Sequence, residues 1–113
     1  GDPLLPTPAE DDPDLPVPQN HDILKQNYPN PFNNGTVIEY QLHGSFEREI
    51  ELTIYNLLGQ KVRTLYSGTQ TGGNHHIHWD GNNDHGTKLS TGVYFYQLNT
   101  QSGVKSKKMI YLK

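Results

Sequence analysis

Any chemistry in this chain would have to come from the stretch between His75 and Thr91, where histidines, aspartates and asparagines concentrate. His76, His78 and Asp80 fall at i, i+2 and i+4, a spacing that lines three metal-competent side chains along one face of a strand. Neighbours in such a row stand about 7 Å apart. One ion takes all three only if the side chains converge, so a solvated polar face is the preferred reading. Asp80, Asn82 and Asp84 occupy the first, third and fifth positions of a calcium-loop pattern, with suitable oxygen ligands. Gly86 arrives one place late, however, and Thr91 stands where that pattern needs a bidentate Glu. The same side chains are therefore read first as turn-makers that bond their own backbone. No nucleophile and base can be paired, and the absence of cysteine removes thiol and disulfide chemistry. The expectation is a protein that is not an enzyme, with no catalytic residue and no cofactor.

Composition limits what can position these groups. A chain of 113 residues supports one modest core, and an apolar share of 32% is low for it. The first 22 residues explain the deficit: six of the eight prolines lie between Pro3 and Pro18, and six acidic residues give this stretch a charge of −6. Proline fixes φ and biases the preceding residue toward extended backbone, so residues 1–22 read as a stiff, solvated linker to an upstream domain. The remainder carries +3, with lysines gathered near one end. That balance is too weak and too local for a nucleic-acid binder. No apolar run is long enough to span a bilayer, and an export signal, if used, would lie on a longer parent chain.

Residues 23–113 read as short strands. Pro29 and Pro31 bracket Asn30 and impose a bend; beyond it, Thr36, Ile38, Tyr40 and Leu42 alternate with Val37, Glu39 and Gln41. Tyr28 and Phe32 are expected to plug the open end of the core, or to form an aromatic pair for a partner. Ile50, Leu52 and Ile54 oppose Glu49, Glu51 and Thr53, and Gly59 supplies the turn of a hairpin. Val62 and Leu65, three apart, indicate a bulge or the strand's end. His75, Ile77 and Trp79 share a face, and Trp79 joins Ile38, Tyr40 and Ile54 as an expected core anchor. Tyr94, Tyr96 and Leu98 oppose Val93 and Phe95, so the strand from Gly92 is apolar on both faces and reads as central. Met109 to Leu112 form a continuous apolar run flanked by Lys107, Lys108 and Lys113, which suits either an edge strand guarded by charge or a signal. About seven strands with regularly spaced turns predict an all-β, immunoglobulin-like or fibronectin-like antiparallel sandwich.

Six stretches in order, QNYPNPFN (26–33), TVIEYQL (36–42), IYNLLGQKVRTL (54–65), GNHHIHWDG (73–81), STGVYFYQL (90–98) and KKMIYLK (107–113), resemble the type A C-terminal sorting domains of the type IX secretion system of Bacteroidetes-type bacteria. They are similar also to the immunoglobulin-like domain of flagellar hook-scaffolding proteins. The resemblance spans most of residues 24–113 and implies a non-catalytic module at the end of a larger secreted protein. Such a module passes the periplasm, is recognised by an outer-membrane translocon, and is removed by a processing protease, leaving the protein secreted or at the cell surface. Carried over by position, Gly92 and Tyr94 match the penultimate-strand motif, and Lys107, Lys108, Met109, Ile110 and Lys113 the terminal recognition motif. Asp22 departs from the pattern, standing where a hydrophobic residue often opens the domain. Two other functions stay open: carbohydrate binding, for which seven tyrosines and one tryptophan could stack on sugars, and a structural spacer or assembly module.

Overall fold

The computed structural model describes residues 21–113. The expected linker therefore lies outside the described residues except for His21 and Asp22, and Asp22 is only 3% exposed. Composition alone places this aspartate in the linker, with the other acidic residues of that stretch. Its carboxylate instead has partners inside the body, described below, so the body takes in Asp22.

Among the described residues there are seven strands: β1 (Ile23–Leu24), β2 (Thr36–Leu42), β3 (Arg48–Asn56), β4 (Lys61–Gln70), β5 (Gly73–Trp79), β6 (Gly92–Thr100) and β7 (Gly103–Tyr111). They form two antiparallel sheets, ordered β1-β2-β5 and β4-β3-β6-β7. This is the expected all-β sandwich. The period-2 patterns choose the inner faces: Ile38, Tyr40 and Leu42 from β2 meet Ile50, Leu52 and Ile54 from β3 and Tyr94, Tyr96 and Leu98 from β6. Ile38, Tyr40, Ile54 and Trp79 are all essentially buried, in the anchoring positions expected of them. Burying an aliphatic or aromatic side chain of this size is worth about 1.5–3 kcal/mol, so these few side chains dominate the cohesion of a small core.

β6 is central, between β3 and β7, as its two apolar faces require. β4 does not stop at Leu65; it runs on to Gln70 past register shifts opposite Leu52/Thr53 and Ile54/Tyr55. The extra residues at those shifts are Leu65 and Val62, and both pack against the core. Two bulges thus explain why these apolar residues stand three apart. In the β3–β4 turn Gly59 has φ +82°, a conformation that side chains disfavour.

The bend at Tyr28–Phe32 differs from expectation in one respect. Tyr28–Pro29 and Asn30–Pro31 are both cis, and Phe32 is buried at 3% exposure, but Tyr28 is 80% exposed. Tyr28 bridges Val37, exchanging backbone hydrogen bonds at 3.0 and 2.9 Å. Val37 faces outward on β2, and a residue paired opposite it turns the same way. Only Phe32 plugs the core.

Candidate recognition surface around the last strand

β7 is an edge strand of the four-stranded sheet and pairs with β6 along its whole length, from Thr100↔Gly103 to Gly92↔Tyr111. Its other edge is covered over the last turns. The Ile110 N–H donates to Asn30 Oδ1 (2.9 Å), the Phe32 N–H donates to the Ile110 carbonyl (3.0 Å), and the Leu112 N–H donates to the Phe32 carbonyl (2.8 Å). Gln26 Nε2 donates to the Lys108 carbonyl at 2.8 Å on this edge, while the Lys113 N–H continues the β6 side by donating to Thr91 Oγ1 at 2.8 Å. The Asn-Pro-Phe segment therefore acts as a cap on an open ladder. Pro29 and Pro31 carry no N–H, so the cap cannot itself extend the sheet. Toward Gly103 the edge is guarded differently: Lys105 and Lys107 pair opposite the inward-facing Leu98 and Tyr96, which turns these lysines toward the seam between the sheets.

Strand alternation divides the expected recognition residues. Met109 is fully buried and Tyr94 is 6% exposed, its hydroxyl donating to the Ser90 carbonyl at 2.7 Å. Neither side chain is reachable from outside, so Met109 and Tyr94 serve the core and not the surface expected of the recognition motif. Tyr111 is likewise buried, stacked on Phe32 at 4.9 Å and near Trp79 and Tyr94. Gly92, Lys107 and Ile110 are half-buried; Lys108, Leu112 and Lys113 are exposed. The structure brings Lys108 and Ile110 to the outer sheet face and turns Lys107 to the seam.

The loop after β5 closes the same end of the sandwich. Asp80 Oδ1 accepts from the Asn82 N–H (3.0 Å), and Asp84 Oδ1 from the Thr64 N–H (3.0 Å). Arg63 reaches both carboxylates, at 3.5 Å to Asp80 and 3.8 Å to Asp84, and also donates to the Asn82 carbonyl at 3.1 Å. A guanidinium occupies the place between the acids that the calcium pattern would give to a cation. Asn82 turns its amide to Asp80 at 3.3 Å, and the neighbouring Asn83 side chain accepts from the His85 and Thr87 N–H groups. Of the expected turn-makers only Asp80 bonds nearby backbone; Asn83 does so in addition, while Asp84 is drawn to Thr64 of β4 and Asn82 to the Asp80 carboxylate. His76 and His78 are exposed on the opposite face of β5 from Trp79, and Asp80 has left their row for Arg63. The three do not converge. Trp79 is fully buried, with its indole N–H on the Asn82 carbonyl at 2.9 Å.

At the other end, Asp22 gathers three separate segments. Its carboxylate accepts from Arg48 Nη2 (2.7 Å), the His43 N–H (2.9 Å) and Thr100 Oγ1 (2.8 Å), and His43 Nδ1 lies 2.8 Å away. Burial alone would push this carboxyl upward. The Arg48 guanidinium, the His43 N–H, the Thr100 hydroxyl and the His43 ring outweigh it and hold the group well below the ordinary 3.8. Arg48 also donates to Ser102 Oγ at 3.2 Å, while its Nε is buried without a partner. Further along β6, Tyr96 ties the segment after β1 to the core: its hydroxyl donates to the Lys25 carbonyl (2.6 Å) and accepts from the Asn27 N–H (2.8 Å). Burial pushes the Tyr96 phenol up to about 12 against the latter bond.

A family model described as the FlgD Ig-like domain matches residues 32–103, well over half of the chain. The chain belongs to the FlgD Ig-like domain family. Its fold is shared with solved structures from Porphyromonas gingivalis. Dimeric latent PorU superposes at a TM-score of 0.67 with 22% identity, over 81% of this chain and 9% of that one. PorZ, an essential bacterial surface component of the type-IX secretion system, superposes at 0.52 with 19% identity, over 78% of this chain and 11% of PorZ. The FlgD Ig-like chain thus spans about a tenth of the length of either protein. No curated protein matches it.

Sequence reasoning missed Asn30 and Gln26 as braces for β7 and Asp22 with Arg48 as a buried pair. Asn30 carried a signal, as the one side chain between two prolines with both hydrogen-bonding roles available to it. Asp22 carried none, because composition counts a buried acid and a solvated one alike.

Proposed function

We propose that this FlgD Ig-like module is non-catalytic and directs a larger protein across the outer membrane by the type IX secretion system, to the surface or the medium. Its partners are an outer-membrane translocon, a processing protease acting on the proline-rich stretch, and an upstream domain. The observation that carries the reading is the treatment of the last residues. They are braced from both sides, by β6 and by the Asn30–Phe32 cap, so that Lys108, Ile110, Leu112 and Lys113 are presented in a fixed arrangement. A signal read in folded form needs this. The described PorZ role in type-IX secretion, on a protein containing the same fold, is consistent with it.

Deleting Lys107–Lys113 is a poor test, because it removes Met109 and Tyr111 from the core. A reporter fused to residues 20–113, with Lys107, Lys108 and Lys113 each changed to Glu, keeps the core. In a bacterium with this machinery the unchanged fusion is exported and the folded variant is retained. Equal export of both sinks the sorting reading.

Family membership favours one alternative, a spacer or assembly module; a partner complex insensitive to the three charge reversals would support it. Carbohydrate stacking has lost its chief candidate, since Trp79, Tyr40, Tyr94, Tyr96 and Tyr111 are buried.

A further inference from the structure

The outer face of the four-stranded sheet carries a row that crosses every strand. Lys61 pairs opposite Tyr55, Tyr55 opposite Phe95, and Phe95 opposite Lys108. Residues paired across antiparallel strands share a face, and strands lie about 4.8 Å apart. The row is therefore two adjoining aromatic rings with an ammonium at each end, about 14 Å from first residue to last. Both lysines are exposed and both rings half-buried. No carboxylate of the described residues pairs with either lysine.

The surroundings extend the apolar centre. Val93 pairs with Ile110 on the same face, and the β3–β4 turn projects Leu57 and Leu58 at 68% and 82% exposure. A hollow of about 420 Å³ opens between the rings and this turn, lined by Tyr55, Asn56, Leu57, Gly59, Phe95 and Gln97. Toward the other end of the sheet the face changes sign. Thr64, Thr53, Gln97 and Ser106 form a polar row, and beyond it Glu51 and Glu49 stand opposite Ser67 and Thr69. An anionic partner is thus attracted at one end of the face and repelled at the other, which fixes where it can lie.

We propose that this end of the sheet is a docking surface for an acidic peptide segment bearing an aliphatic or aromatic anchor. The anchor enters the hollow over Tyr55 and Phe95, and carboxylates on either side of it reach Lys61 and Lys108. Charge complementarity selects the acid, and the Tyr55 and Phe95 rings with the exposed Leu57 beside them select an apolar anchor. Lys108 and Ile110 belong to both this surface and the sorting motif. The inference deepens the sorting reading, and only the partner's identity rests on it.

Binding is tested by fluorescence anisotropy on the full 113-residue chain. The probe is a fluorescein-labelled peptide with a central Leu-Phe pair and two Asp on each side. A matched probe carries Lys in place of Asp, and polygalacturonate serves as an anionic glycan competitor. The chain is expected to bind the acidic probe saturably and to discriminate against the basic one. The double variant Lys61→Glu, Lys108→Glu is expected to lose at least about tenfold in affinity for the acidic probe, and to gain the basic one. Phe95→Ala is expected to weaken binding by a similar factor. The charge variant lies on the surface, so its melting curve should match that of the unchanged chain. Equal binding of both probes, no loss in the charge variant, or displacement by the glycan at equal charge concentration overturns the proposal. Export is read separately: a charge variant that loses peptide binding yet is exported leaves the docking surface standing and removes its link to sorting.

Discussion

The two ends of the sandwich are closed by different chemistry. At one, Asp22, His43, Arg48, Thr100 and Ser102 bring a carboxylate and a guanidinium out of water, with the pair at 5% and 2% side-chain exposure. At the other, Phe32, Trp79, Tyr94 and Tyr111 pack as rings, and the Arg63 ion pairs lie outside them, with Asp80 and Asp84 about half exposed. The same two residue types, Arg and Asp, thus perform unlike tasks. A buried charge left without its partner is expensive, whereas an exposed pair is screened and exchanges readily with water. The charged end fixes where the chain enters the body; the aromatic end fixes how β7 leaves it.

The largest effect should come from breaking the buried pair. Arg48→Ala leaves the Asp22 carboxylate buried against neutral donors and is expected to cost about 3–5 kcal/mol, read from urea denaturation. The acid limb of stability sharpens the point. The Asp22 carboxyl is held below its ordinary 3.8, so its contribution is complete above about pH 4 and is lost progressively as pH falls below that. Asp22→Asn should flatten this limb in melts between pH 2 and 5; an unchanged acid profile would show that the pair is not the group being titrated.

The aromatic end should respond to shape. Gly81 has φ +86°, and a Cβ there would stand 2.9 Å from the Tyr111 ring. Gly81→Ala is expected to destabilise by about 1–3 kcal/mol, with a near-ultraviolet circular dichroism change that Arg48→Ala does not produce. Arg63→Ala should cost less than about 1 kcal/mol. If it matched Arg48→Ala, the contrast between the ends would be wrong. The smallest effect is expected from Tyr111→Phe, because the Tyr111 hydroxyl is buried with no hydrogen-bond partner. Removing it should be neutral or slightly stabilising by thermal melt.

The legibility of the chain follows the range of the interactions. Thr36–Leu42 and Glu49–Ile54 declare their inner faces through period-2 alternation, a property of neighbours two residues apart. Leu65 and Val62 announced a break in pattern, and the bulges are that break. Met109–Leu112 left its inner face unmarked because four consecutive apolar residues carry no alternation, whereas the strand sends Met109 and Tyr111 inward and Ile110 to the other face. Tyr28 and Phe32 sit four apart with identical apparent roles, and only the pairing of Tyr28 with Val37 separates them.

The sequence alone determined the strand content, the inward anchors Ile38, Tyr40, Ile54 and Trp79, the central place of β6 and the turn bond of Asp80 to the Asn82 N–H, because each depends on local periodicity or on a side chain bonding nearby backbone. Tertiary structure decided the rest: that Arg63 sits between two acids, that Asp22 is fastened to Arg48, that Asn30 caps Ile110, and that Lys61, Tyr55, Phe95 and Lys108 form one row. Each of those joins residues from 17 to 80 positions apart or depends on strand order. Register and strand order are set by the packing of the whole core, and no local pattern encodes them.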